Sequence, residues 1–212
     1  MSDDVVRPAV PDEVQRAWNA GDAPKAARLL DEWEARQPPT REVLLSLRFW
    51  RRHIGQIPEA IAVVRRLLEQ RDPDSWERVS DLCTLGELHL QAEEPDVAWA
   101  ALSEAAGWGG LRDWYECGLV RSVVELGLDL SASLPPDAPL ARRSFDVAVS
   151  LLEDGASSSL VIFDKARDRA EALGEAARHA ALAAAARDLR RALHGRERRR
   201  PPSGGDESAH DS

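Results

Sequence analysis

The stretch LGELHLQAEEPDVAWAALSEA, Leu85 to Ala105, holds two apolar runs of helical period joined by a short acidic turn. Extended to its natural limits it gives a first helix, WERVSDLCTLGELHLQ, a turn, AEEPD, and a second helix, VAWAALSEAAG, closed by Gly107. Such a unit is either half of an active site or one tile of a scaffold. The sequence on both sides of it favours the tile.

Toward the N-terminus the same arrangement recurs twice. VPDEVQRAW starts a helix, with Pro11 at the first helical position and Asp12 and Glu13 at the positive end of the dipole, and Gly21 stops it. Ala26, Ala27, Leu29, Leu30 and Trp33 then follow at helical spacing until Pro38 and Pro39 forbid continuation. From Arg41, REVLLSLRFWRRH, IGQIP and EAIAVVRRLLEQ repeat helix, turn and helix, ending before Pro73. Aligned on the small residue that opens each second helix, Ala26, Ala60 and Ala98 fall in register, 34 and then 38 residues apart.

A 34-residue helical-hairpin period with a Leu-Gly pair, a small residue after the turn and a large apolar residue four positions on resembles the tetratricopeptide repeat family over about residues 7 to 112. The third hairpin carries the resemblance best, with Leu85, Gly86, Ala98, Leu102 and Ala105 at the family positions and Leu82 in place of the leading aromatic residue. The second keeps Leu47, Ala60 and Val64 but has Arg48 where the glycine belongs; the first keeps Ala26, Leu30 and Pro38 behind a short leading helix. The resemblance implies an all-α fold, a right-handed α-solenoid of antiparallel helix hairpins with irregular C-terminal capping helices. Small side chains let neighbouring backbones approach, so Gly86 and Ala98 are expected at a close crossing.

The expected layout is a flexible N-terminus over 1–10, a helical domain over 11–195 with hairpins at about 11–38, 41–72 and 76–107, irregular helices over 111–195, and a disordered charged tail over 196–212. LRDWYECGLVRSVVELGLDL reads as a helix leading into the loop SASLPPDAP, which interrupts the array, and LARRSFDVAVSLLEDG as the delayed second half of an irregular fourth hairpin. SSSLVIFDKARDRAEALGEAARHAALAAAARDLRRALHG reads as one long helix or two joined near Gly174, suited to closing the end of the array. SSLVIF alone would pass for a strand, but it has no evident partner.

With 212 residues the chain can bury a substantial core, and its wealth of Ala, Leu, Glu and Arg favours helix. The formal net charge of −9 disfavours whole-surface attraction to nucleic acid or anionic lipid. Of 28 basic residues only Lys25 and Lys165 are lysine, a bias that reads as GC-rich, bacterial-like coding. Cys83 and Cys117 are too few for a disulfide framework, the N-terminus lacks a basic and apolar leader, and no apolar run is long enough to span a bilayer. The expectation is a cytoplasmic protein with no membrane association.

The sequence offers no catalytic, metal or cofactor constellation. His53, His89, His179, His194 and His210 include no pair at metal-binding helical spacing, and His89 reads as a helix-boundary residue. No nucleophile elbow is present, Cys83 reads as a small buried or groove residue, and the glycines of GWGGL match no phosphate loop. Arg187, Arg190, Arg191, Arg196, Arg198, Arg199 and Arg200 form a basic helix end, without interleaved aromatic residues to stack bases.

What the resemblance implies is a groove lined by the first helix of each hairpin. Helical phase puts there Gln15, Trp18 and Asn19, then Phe49, Arg52 and His53, then Thr84, Glu87 and Gln91, and finally Trp114 and Arg121. The lysine and asparagine pattern with which some family members clamp a C-terminal carboxylate is absent, since Pro11 and Gln15 stand where it would begin. The implied function is a non-catalytic adaptor that binds a peptide or helix of another protein, with oligomeric state open. The alternatives are a small secretion-type chaperone of the same family and a nucleic-acid accessory protein acting through the arginine-rich helix end.

Overall fold

The computed structural model describes residues 10–111, 118–153 and 159–197, and among them every regular element is an α-helix. They are α1 (Asp12–Asn19), α2 (Ala23–Glu34), α3 (Arg41–Ile54), α4 (Ile57–Glu69), α5 (Trp76–Gln91), α6 (Pro95–Ala106), α7 (Leu119–Ala132), α8 (Pro139–Glu153), α9 (Leu160–Ala172) and α10 (Ala176–Glu197). Residues 160–163, the strand-like run, belong to α9.

Three helices begin where the sequence supplies a side-chain acceptor for unpaired backbone N–H groups. Asp22, Thr40 and Ser75 cap α2, α3 and α5 by accepting from the N–H of Lys25, Val43 and Arg78. Prolines occupy the first turns of α2, α4 and α6, where no helical hydrogen bond is lost. Pro11 itself stands one residue ahead of α1, which starts at Asp12.

One turn geometry joins α1 to α2, α3 to α4, α5 to α6 and α9 to α10. A left-handed residue, Gly21, Gly55, Glu93 or Gly174, is followed by a residue whose N–H returns to the helix it has left. Those bonds run from Asp22 to Ala17 O, Gln56 to Arg51 O, Glu94 to His89 O and Glu175 to Ala170 O, at 2.8 to 2.9 Å. They satisfy carbonyls that the helix end would otherwise leave open and fix the reversal of the chain.

The chain divides into two compact units, 1–157 and 158–212. In the first, each hairpin packs its two helices together, and each second helix packs on the first helix of the next hairpin: α2 on α3, α4 on α5 and α6 on α7. Val14, Leu30, Trp33, Leu44, Leu47 and Leu67 form the core joining the first two hairpins, and Ala60, Ile61, Val64 and Leu88 continue it toward the third. The second unit is the hairpin α9–α10, with the turn at Gly174 that the sequence suggested. There Asp164 accepts from Arg190 of α10 at 2.9 Å and from Arg167 of its own helix at 2.9 Å.

The helix read as the delayed second half of an irregular fourth hairpin, α8, packs on α7 across the loop at 133–138, and α7 in turn packs on α5 and α6, so the loop delays the array without ending it. Leu126 and Gly127 match the Leu-Gly pair and Ala141 and Phe145 the small and large positions, with two extra residues between the pairs. A side chain at Gly86 would first meet Leu126 of α7, so this glycine makes room for the next hairpin. Gly127 marks a close crossing within a hairpin: a Cβ there would come within 3.0 Å of the Ser144 carbonyl and 3.1 Å of Ala148 Cβ.

Ionic contacts tie successive hairpins together. Asp81 of α5, 1 % exposed, accepts from Arg48 of α3 at 2.6 Å and from Arg71 at 2.8 Å. Arg51 of α3, 5 % exposed, meets Glu34 and Asp31 of α2 and the Gln56 side chain. Burial would lower the Arg51 pKa, but the hydrogen bonds to Glu34 and Asp31 outweigh it and hold the guanidinium above its ordinary value. No described helix is long and apolar enough to cross a membrane.

Candidate binding surface on the first helices

Helix α3 buries Val43, Leu44, Ser46, Leu47 and Arg51, so its opposite face must carry Phe49, Arg52 and His53. Phe49 and His53, one turn apart, stack with ring centroids 3.9 Å apart, while Trp50 meets the Phe49 ring edge-on at 5.6 Å. His53 Nδ1 lies 2.8 Å from the Phe49 carbonyl, which holds the imidazole over the phenyl ring. Phe49 remains 47 % exposed, a large apolar side chain that the fold leaves open to solvent.

Across from this face, α5 contributes Thr84 and Glu87. Glu87 pairs with Arg52 at 2.7 Å, and the Thr84 hydroxyl donates to the Ser80 carbonyl of its own helix. Between the helices lies a cavity of about 420 Å³ lined by Leu45, Arg48, Phe49, Arg52, His53 and Thr84. Its lining mixes apolar, aromatic and cationic side chains, the kinds that anchor protein partners once water is displaced.

The remaining candidates lie elsewhere. Gln15, Trp18 and Asn19 are exposed on α1 and line no part of this cavity; a second hollow beside them, about 370 Å³, is formed by Glu13, Arg16, Ala17, Ala20, Asp22, Lys25 and Leu29. Gln91 is exposed at the end of α5. Arg121 is exposed on α7 and occupied with Glu125 at 3.1 Å. Trp114 falls outside the described residues, as does Cys117.

Sequence reasoning missed Leu45 and Arg48 as lining residues. Their signal was available, since each stands four positions before a chosen residue, Phe49 and Arg52, on the same helical stripe. Arg48, which stands where the repeat pattern has a glycine, meets a carboxylate, Asp81, in the next hairpin.

Other chemistry-bearing groups are built into the framework. Cys83 is 2 % exposed, and burial, reinforced by the charge of Glu87, pushes its thiol up to about 12, which keeps it protonated near neutral pH. His89, 2 % exposed, joins the end of α5 to the start of α6 through Nδ1 and Glu94 Oε2 at 2.5 Å. Among the described residues no group of three or more His, Cys, Asp or Glu side chains is disposed to hold a metal ion.

No family model and no curated protein matches the chain. Among solved structures, it is similar to the crystal structure of MamA at 18 % identity and a TM-score of 0.54, covering 88 % of this chain and 99 % of that one. A Podosopora anserina structure of kinesin light chain TPR-like repeats aligns at 13 % identity and a TM-score of 0.45, over 86 % of this chain and 93 % of that one. The fold is therefore an all-α, tetratricopeptide-like array of antiparallel helix hairpins.

Proposed function

We propose that this chain is a non-catalytic protein-interaction module that holds a peptide segment or helix of another protein against its first-helix face. Phe49, Arg52, His53 and Thr84 form the centre of that surface, and Glu87 orients Arg52. The observation that carries the reading is the cavity between α3 and α5, where an exposed phenyl ring stands beside a partly exposed guanidinium on rigid helices. Such preorganised aromatic and arginine anchors contribute most of the energy when a partner covers them.

The test is a pull-down from native cell extract with the full chain and with a Phe49→Ala, Arg52→Ala double variant of matched helicity by circular dichroism. A protein held by the first and lost by the second supports this surface. Retention of the same protein by both would place the contact on another face and sink the assignment.

A further inference from the structure

We infer that the cavity between α3 and α5 receives an acidic segment of a partner protein. One aspartate or glutamate carboxylate lies on the Arg52 guanidinium, and a neighbouring apolar side chain lies against Phe49. The inference rests on the protein-binding reading above and adds the chemistry of the partner.

Charge is the first argument. Of the six lining residues three are basic in type, Arg48, Arg52 and His53, and none is acidic. Both arginines already meet a carboxylate: Asp81, buried and shared with Arg71, serves Arg48, and Glu87, at the open edge of the cavity, meets Arg52 from α5. Arg52 and Glu87 keep 38 % and 34 % of their side-chain surface exposed. A guanidinium carries five N–H donors in a planar fork, so one carboxylate leaves donors for a second.

The second argument is the apolar ground beside the charge. Phe49 is locked between His53 on its face and Trp50 at its edge, yet stays 47 % exposed, so covering it adds contact at little ordering cost. A polyanion fits less well. One face of the Phe49 ring is already covered where a base would stack.

The experiment uses the full chain, labelled, on an array of decapeptides in a Gly-Ser background. Each peptide carries one Leu and, one to four positions away, an Asp, an Asn or a Lys; a single-stranded deoxythymidine decamer is included. The best binder is then titrated by fluorescence anisotropy against the parent chain, Arg52→Glu and Phe49→Ser, all checked for equal helicity. The expected result is capture of Asp peptides over their Asn and Lys counterparts, at least tenfold weaker binding to Arg52→Glu, and weakening by added salt. Equal capture of Asn and Asp peptides, both lost on Phe49→Ser, would overturn the acidic assignment while keeping the groove. Undiminished Asp-peptide binding to Arg52→Glu, preference for the oligonucleotide, or no peptide binding by a chain that still captures its natural partner through Phe49 and Arg52 would each overturn it too.

Discussion

Glu93 holds a left-handed backbone, φ 60°, in a turn whose counterparts are Gly21, Gly55 and Gly174. For a residue with a Cβ that conformation costs about 1 to 2 kcal/mol, partly offset because Glu leaves the unfolded chain less freedom than Gly would. Glu93→Gly should therefore stabilise by about 0.5 to 1 kcal/mol, seen as a higher urea midpoint at unchanged slope. Gly127 poses the reverse case, since any side chain there runs into the Ser144 carbonyl and Ala148. Gly127→Val should cost about 2 to 3 kcal/mol in thermal unfolding, and a neutral result would refute this packing. Cys83 yields a pH dependence. Its thiol is raised from an ordinary 9.0 to about 12, so the folded state holds the proton more tightly than the unfolded state. Its contribution to stability is complete below pH 9 and is lost as pH rises from about 9 to about 12. In a Cys117→Ser background, a thiol reagent at pH 8 should label Cys83 only after urea is added; rapid labelling of the native chain would contradict its burial.

At the scale of elements, the hairpins are coupled by apolar packing and by charges that cross from one to the next. Asp81→Asn keeps the shape of the side chain but leaves Arg71, itself nearly buried, without its carboxylate, and should cost about 3 kcal/mol. A loss below about 0.5 kcal/mol in urea unfolding would show that this seam does not couple the second hairpin to the third. These contacts were illegible in the sequence, because Arg48 and Asp81 stand 33 positions apart and meet only once the repeat register is known. The helices were legible because Gly, Pro and capping residues punctuate apolar runs of helical period. The fourth hairpin was legible as an irregular one; the longer loop before Ala141 obscured only its register, although Leu126 and Gly127 repeat the Leu-Gly pair. On the candidate surface, helical phase put Phe49, Arg52, His53 and Thr84 on one face, and one cavity gathers those four. Phase alone could not reveal that Gln15, Trp18 and Asn19 stand outside it, since that depends on how one helix lies against the next.

Taken whole, the molecule is built from neighbours. The principal packing joins elements no more than two places apart in chain order, so little loop-closure entropy opposes each step of assembly. After dilution from urea the main refolding phase, followed by tryptophan fluorescence in a stopped-flow instrument, should be complete within milliseconds. A main phase lasting seconds would mean that distant contacts govern folding. The turn shared by α1–α2 and α3–α4 carries a different consequence. Gly21 and Gly55 are 34 residues apart and reverse the chain through the same backbone bonds. A cut at both glycines would release a block whose removal, or duplication in tandem, joins like to like and leaves every surviving reversal intact. In that sense the punctuation marks a cassette: genetic recombination or deliberate engineering could lengthen or shorten the array by whole hairpins without inventing a new junction.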